Sequence, residues 1–170
     1  MLQQAAANAH LRPPVHAPLP PDLAARSATT LPRLLRELAR TRPDEVALRH
    51  KRRGVYEATT WLDYARIVED VALGLRQCGV ARGDRVAIMG DPTPEWLYVD
   101  LATMALGGIS VGIYPTSAPE EVEYMLRQSG ASVFVAENQE HLDKLLNVLQ
   151  RLPQIRAIVI IDMRALFLFK

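Results

Sequence analysis

The stretch that decides the fold lies at residues 101–131 and reads LATMALGGISVGIYPTSAPEEVEYMLRQSGA. It predicts the end of one helix, a turn at Gly107-Gly108, an apolar strand at Ile109–Ile113 and a second helix at Ala118–Ser129. A strand that follows one helix and leads into the next is typical of a sheet covered by helices. This stretch therefore predicts one repeat of an α/β fold.

Capping residues mark both ends of the second helix. Ser117 and Glu120 have the three-residue spacing of a capping box, in which each side chain bonds the other residue's backbone N–H. Gly130 stands where a glycine in the left-handed conformation ends a helix. The spacing predicts that the helix begins directly after Ser117 and stops at Gly130.

The same alternation of helix and strand extends in both directions. The predicted strands are Val46–His50, Val55–Thr59, Arg85–Met89, Ser132–Ala136 and Ala157–Ile161, and residues 51–54 join the first two as a hairpin. The other predicted helices lie at Leu31–Leu38, between the N-cap Thr60 and the stop Gly79, at Pro94–Ala105 after the N-cap Thr93, and from Asn138 along a leucine face to Leu152. Strands that alternate with helices imply βαβ crossovers, so the predicted class is α/β with a mostly parallel sheet.

Composition bounds the domain organisation and the partners. Residues 1–30 are rich in Ala, Pro and Gln and predict a flexible leader, which leaves residues 31–170 as one partial α/β domain. The net charge of +1 argues against a whole-chain field that would steer the protein to nucleic acid or to an acidic membrane. The single cysteine, Cys78, excludes an intrachain disulfide and fits a reducing compartment. No apolar run approaches the roughly 20 residues of a membrane span, and no signal peptide is visible, so we expect a cytoplasmic protein.

Two glycine-containing segments invite comparison with phosphate-binding loops. Gly107, Gly108 and Gly112 follow a helix and open a strand, whereas a phosphate loop follows a strand and opens a helix. The segment 90–94, GDPTP, has the correct order. Its Asp91 and Glu95 place negative charge where a phosphate would lie, so we interpret both carboxylates as partners of the helix N-terminus.

Other clusters also lack a decisive pattern. Residues 49–53, RHKRR, are either a phosphate-binding or acidic-lipid-binding site or a solvated hairpin tip. The second interpretation is favoured because no aromatic side chain is interleaved with the charges.

The segment 114–117, YPTS, either lines a crevice at a strand end or forms a turn. The four histidines show no metal-ligand spacing: His10, His16, His50 and His141. The sequence therefore predicts no catalytic, cofactor-binding or metal-ligating residue in this chain.

Several motifs in order resemble one enzyme family. The runs 59–61 (TTW), 83–88 (GDRVAI) and 94–96 (PEW), followed by the stretch 101–131, resemble the N-terminal region of the AMP-forming acyl-CoA synthetases. The run GIYPTS at 112–117 resembles the branch that acts on long-chain fatty acids. The resemblance covers roughly residues 31–162.

This resemblance implies a two-step ligase reaction. The family joins a carboxylate to AMP from ATP and then transfers the acyl group to coenzyme A, with Mg²⁺ assisting. It also implies fatty acid, ATP and coenzyme A as partners, a possible homodimer and possible peripheral contact with a membrane. The family's phosphate loop, a Gly/Ser/Thr-rich run that ends in Pro-Lys-Gly, has no counterpart up to Lys170. We therefore expect an N-terminal fragment that binds no cofactor and is inactive alone.

Two alternatives to the long-chain ligase fragment remain open. The chain could be a free-standing, non-enzymatic α/β interaction module, or a piece of a ligase for another carboxylate. The apolar segments 157–161 and 165–169 would be covered on both faces in a complete sheet. At an uncovered edge they predict self-association and binding of hydrophobic dyes.

Overall fold

A computed structural model describes residues 29–164 of the chain. Nearly all of the predicted leader 1–30, together with the apolar segment 165–169, lies outside the described residues. The helices are α1 (Leu31–Thr41), α2 (Trp61–Gln77), α3 (Pro94–Ala105), α4 (Pro119–Ser129) and α5 (Gln139–Leu146), and a 3₁₀ turn covers Leu149–Arg151. The strands are β1 (Val46–Arg52), β2 (Val55–Thr60), β3 (Arg85–Met89), β4 (Ile109–Ile113), β5 (Val133–Ala136) and β6 (Ala157–Ile160).

Strands β3 to β6 form a parallel sheet in the order β4-β3-β5-β6. Helices α3, α4 and α5 connect successive strands of this sheet, as βαβ crossovers require. The two central strands are short, rich in β-branched residues and buried on both faces. The predicted α/β class with a parallel sheet is therefore confirmed.

Alternate residues of the central strands serve two separate cores. On one face, Val86, Ile88, Val133 and Val135 pack with the apolar sides of α1, α2 and α3. On the other face, the residues between them, among them Phe134, pack with α4 and α5. This period of two arises because successive strand side chains point to opposite faces. The sheet is thus the middle layer between two layers of helices.

Strands β1 and β2 form a separate antiparallel hairpin beside this sheet. The hairpin was predicted, but its connection is shorter than expected. Residues 51 and 52 continue β1, and the turn is Arg53-Gly54 with φ angles of 50° and 85°. Two successive positive φ values are typical of the tight turn whose twist matches a hairpin. The basic cluster therefore lies along a strand and its turn.

Most of the predicted caps are confirmed. The Thr60, Thr93 and Asn138 side chains each accept a hydrogen bond from the backbone N–H three residues on. Gly79 and Gly130 have positive φ values after α2 and α4.

Two boundaries differ from the prediction. The N-cap of α4 is Ala118, whose N–H donates to the Glu121 carboxylate at 3.0 Å, so the expected Ser117–Glu120 capping box is wrong by one residue. Ser117 is buried instead, and Pro119 takes the first helical turn, where its missing N–H costs nothing. The last helix ends at Leu146 rather than continuing to Leu152. The 3₁₀ turn at Leu149–Arg151 places Leu152 in the core and packs the partly buried Leu149 against it, which explains their helix-like spacing.

Within residues 29–164, no helix is long and apolar enough to cross a membrane.

Candidate functional site at the carboxyl edge of the sheet

The carboxyl ends of the parallel strands meet a cleft of about 680 Å³. Open α/β sheets usually bind ligands at this edge. The hairpin β1–β2 forms one wall of the cleft, and the residues after β3, β5 and β6 contribute to the opposite side. Its lining residues are His50, Lys51, Arg52, Arg53, Glu57, Thr93, Glu95, Glu137, Ile161, Asp162 and Arg164.

The Glu137 side chain bonds the backbone of the loop that follows β3. Its carboxylate accepts a hydrogen bond from the Asp91 N–H at 2.6 Å, and its own N–H donates to the Met89 carbonyl at 2.9 Å. Gly90 allows this approach, because a Cβ there would lie 2.7 Å from the Glu137 Cβ. In the loop 90–94, the Asp91 N–H is thus satisfied by the protein's own carboxylate.

An ion pair connects the hairpin to the start of α3. The Arg52 guanidinium lies 2.7 Å from the Glu95 carboxylate and 3.8 Å from the carboxylate of Glu57. Glu95 is also in the first turn of α3, where a negative charge complements the helix dipole. The expectation that Glu95 serves the helix N-terminus holds, and the structure adds Arg52 as its partner across the cleft.

Asp162 and Arg164 form a second ion pair at the end of β6. The Arg164 Nε lies 2.9 Å from one Asp162 carboxylate oxygen and 3.1 Å from the other. The hydrogen bond from the Arg164 side chain, with a further one from its backbone N–H, lowers the pKa of Asp162 to about 2. Asp162 is therefore ionised at neutral pH, and its charge is already compensated within the cleft.

The carboxylates of the cleft do not match the ligand set that Mg²⁺ requires. Each of them already has a partner in Arg52, Arg164 or the Asp91 N–H, whereas among the described residues no carboxylate lies within 4.0 Å of the charged atoms of Lys51 or Arg53. Mg²⁺ needs carboxylates that are free to coordinate it. Between residues 29 and 164, no cluster of three or more His, Cys, Asp or Glu residues could hold a metal ion.

The other sequence candidates have structural roles. Gly107 has a φ of 75° and ends α3, with its N–H donating to the Met104 carbonyl at 3.0 Å. Gly108 allows the close approach of the Asp84 carbonyl, 3.1 Å from where a Cβ would lie. The predicted turn at these two glycines is thus confirmed. In the segment 114–117, Tyr114 is exposed, and the Pro115 carbonyl accepts a hydrogen bond from the Lys144 ammonium.

The prediction that no aromatic side chain accompanies the basic cluster is wrong. Sequence order shows no aromatic residue among the charges, yet the hairpin pairs Lys51 with Tyr56. The Lys51 ammonium lies 6.0 Å from the centroid of the Tyr56 ring, within the range of a cation–π interaction. An aromatic side chain therefore does accompany the charges, because the register brings it from the neighbouring strand.

Sequence reasoning missed Glu137, Asp162 and Arg164 as cleft residues. The available signal was their position: each follows the last residue of a buried parallel strand by one to four residues. Parallel strands end at a common edge, so such residues converge even when they are far apart in sequence.

The fold and its cleft define an open α/β domain with a cleft at the carboxyl ends of its strands. Within that class, the chain belongs to the AMP-binding enzyme family, whose model matches residues 35–168.

The similar proteins are acyl-CoA ligases. The chain is 38% identical to the long-chain-fatty-acid–CoA ligase ACSBG1 of Rattus norvegicus over 114 aligned residues. The alignment covers 67% of this chain and 16% of the rat protein. The acetoacetyl-CoA synthetase of Streptomyces lividans superposes with a TM-score of 0.72 at 27% identity. The superposition covers 82% of this chain and 23% of the synthetase. An anthranilate CoA ligase in complex with anthranoyl-AMP gives a TM-score of 0.69 at 25% identity, with 79% and 26% coverage. The chain thus spans about a sixth of the length of the curated relative.

Proposed function

We propose that this chain forms the N-terminal part of a ligase that joins long-chain fatty acids to coenzyme A. In this proposal, residues 31–170 are a partial N-terminal domain and supply the scaffold for the nucleotide-binding half of the enzyme. The observation that carries the proposal is the family match over residues 35–168, together with the identity of 38% to a long-chain ligase.

The proposed reaction has two steps. A carboxylate oxygen of the fatty acid attacks the α-phosphorus of ATP, the bond to pyrophosphate breaks, and an acyl-adenylate forms. The thiolate of coenzyme A then attacks the acyl carbon and expels AMP. Both steps need positive charge or backbone donors to stabilise the developing negative charge. Each carboxylate of the cleft already has a partner in Arg52, Arg164 or the Asp91 N–H, so we infer that the metal-binding and other working groups come from outside the described residues.

A ligase for a different carboxylate is the second candidate. The superposition with the anthranilate ligase is as close as those with ligases of aliphatic acids, since its TM-score of 0.69 differs little from 0.72. The backbone of this region therefore does not distinguish aromatic from aliphatic acids. The long-chain proposal depends on sequence identity instead.

A pair of chimaeras tests the proposal. In one, residues 35–168 of this chain replace the matching segment of rat ACSBG1. In the other, they replace the matching segment of the anthranilate ligase. We expect acid-dependent ATP–pyrophosphate exchange from the ACSBG1 chimaera with palmitate, and much weaker exchange from the anthranilate ligase chimaera with anthranilate.

The 170-residue chain alone is the third sample, and we expect no exchange from it with either acid. Exchange by the chain alone would place the working groups within this sequence and refute the scaffold role. A well-folded ACSBG1 chimaera without activity, beside an active anthranilate chimaera, would favour the second candidate.

A further inference from the structure

We propose that one face of the β1–β2 hairpin binds the surface of an anionic lipid bilayer. This surface, the basic hairpin face, consists of Arg49, Lys51 and Tyr56, with Arg53 in the turn. The proposal rests on the charge, exposure and register of the hairpin and does not depend on the ligase reaction.

The register places the charges and the aromatic ring on the same face. In an antiparallel pair, residues directly opposite each other project to the same side. Arg49 pairs with Ala58 and Lys51 pairs with Tyr56, so these four residues share one face.

The other face of the hairpin contains the acidic residue Glu57. There His50 pairs with Glu57, and Arg52 follows two residues after His50. Alternation along the strands thus separates Arg49 and Lys51 from Glu57.

The positive charge of the basic hairpin face is not compensated by neighbouring acids. Arg52 is the member of the cluster that is held in ion pairs, with Glu57 and with Glu95. Among residues 29–164, no carboxylate lies within 4.0 Å of the charged atoms of Arg49, Lys51 or Arg53. Although the whole chain has a net charge of only +1, this face presents three cations together.

An exposed aromatic ring on the basic hairpin face favours a bilayer. Tyr56 is 69% exposed, although burying such a side chain is normally favourable. Tyrosine is enriched at the membrane interface, where its ring contacts the acyl boundary and its hydroxyl remains in water.

The expected strength follows from the number of free cations. Each lysine or arginine near an anionic leaflet contributes roughly a fivefold increase in partitioning. Three cations therefore predict a change on the order of 100-fold between anionic and neutral vesicles at low salt. The attraction should weaken as salt is added, because exposed charges are screened.

The test measures flotation of the full 170-residue chain with vesicles. One set contains phosphatidylcholine alone, and the other contains phosphatidylcholine with phosphatidylserine. The first variant replaces Arg49, Lys51 and Arg53 with glutamine. The matched control makes the same change at three exposed arginines of α1, namely Arg33, Arg36 and Arg40. A further variant, Tyr56→Ser, keeps every charge and removes the ring.

We expect the hairpin triple variant to lose the preference for anionic vesicles and the α1 variant to lose at most a few-fold. Tyr56→Ser should weaken binding to anionic vesicles and leave the salt dependence unchanged. All of the replaced side chains are exposed, so the melting temperatures should stay the same and confirm that each variant is folded. An equal loss in both triple variants would mean diffuse attraction and overturn the proposal. So would tight binding of a single-stranded oligonucleotide by a chain that ignores the vesicles.

Discussion

Replacing Gly90 with alanine should destabilise the domain at the junction between β3 and β5. A Cβ at this position would lie 2.7 Å from the Glu137 Cβ and 2.8 Å from a Glu137 carboxylate oxygen. The first of these atoms is fixed to the backbone just after β5, so it cannot rotate away. Overpacking of this kind costs about 1 to 3 kcal/mol. For a domain of this size, that corresponds to a fall of roughly 3 to 10 °C in melting temperature.

Gly112 provides the matched control at the end of the neighbouring strand. A Cβ there would meet a Trp96 ring carbon at 3.4 Å, which is ordinary van der Waals contact. We therefore expect Gly112→Ala to change the free energy of unfolding by less than about 1 kcal/mol, because alanine also reduces the entropy of the unfolded chain. Urea unfolding followed by far-UV circular dichroism gives both values.

A double variant separates the clash from other effects. In a Glu137→Gly background the opposing Cβ is absent, so the cost of Gly90→Ala should fall to near zero. The resulting coupling energy should be about 1 to 3 kcal/mol, as expected for residues in contact. If Gly90→Ala is harmless, or is equally costly in both backgrounds, the account of the β3–β5 junction is wrong.

Three further predictions concern caps, pH and the sheet edge. Thr60→Ala should cost about 1 kcal/mol by urea unfolding and Thr93→Ala less, because their N-cap hydrogen bonds measure 3.1 and 3.4 Å. The pKa of Asp162 lies below its ordinary value of 3.8 because Arg164 bonds its charged form, so its contribution to stability is complete above pH 3.8 and disappears as the pH falls towards 2. In the Asp162→Asn variant, the melting temperature should change less with pH between 3.8 and 2. An unchanged dependence of melting temperature on pH in this range would contradict the prediction. Ile109 is 54% exposed on the edge strand β4 and should promote self-association. Ile109→Lys should therefore lower the apparent mass in light scattering. An unchanged mass would show that β4 is not the contact between copies.

Local patterns were sufficient for most of the helices and strands. The caps at Thr60, Thr93 and Asn138 and the stops at Gly79 and Gly130 depend on interactions within a few residues, so the sequence alone locates them. The errors arose where a tertiary constraint acted. Ser117 is buried, and Leu152 reaches the core through a 3₁₀ turn rather than a continued helix.

The cleft could not be predicted in the same way. Gly90 and Glu137 are separated by 46 intervening residues, and their contact exists because β3 and β5 are neighbours in the sheet. The sequence predicted that Glu95 serves the start of α3, and the structure adds Arg52 as its partner. The sequence could not indicate that Glu137 bonds the Asp91 N–H, since strand order is decided by the packing of the whole sheet.

The sequence by itself determined the α/β class, the parallel sheet and the resemblance to the acyl-CoA synthetases, because these depend on periodicity, capping and short motifs. Only the tertiary structure decided the order β4-β3-β5-β6, the pairing of charges in the cleft and the position of Tyr56 beside Lys51. The physical reason is the range of the interactions. Helix caps and side-chain alternation act over a few residues, whereas strand neighbours and hairpin register result from burying two apolar faces at once.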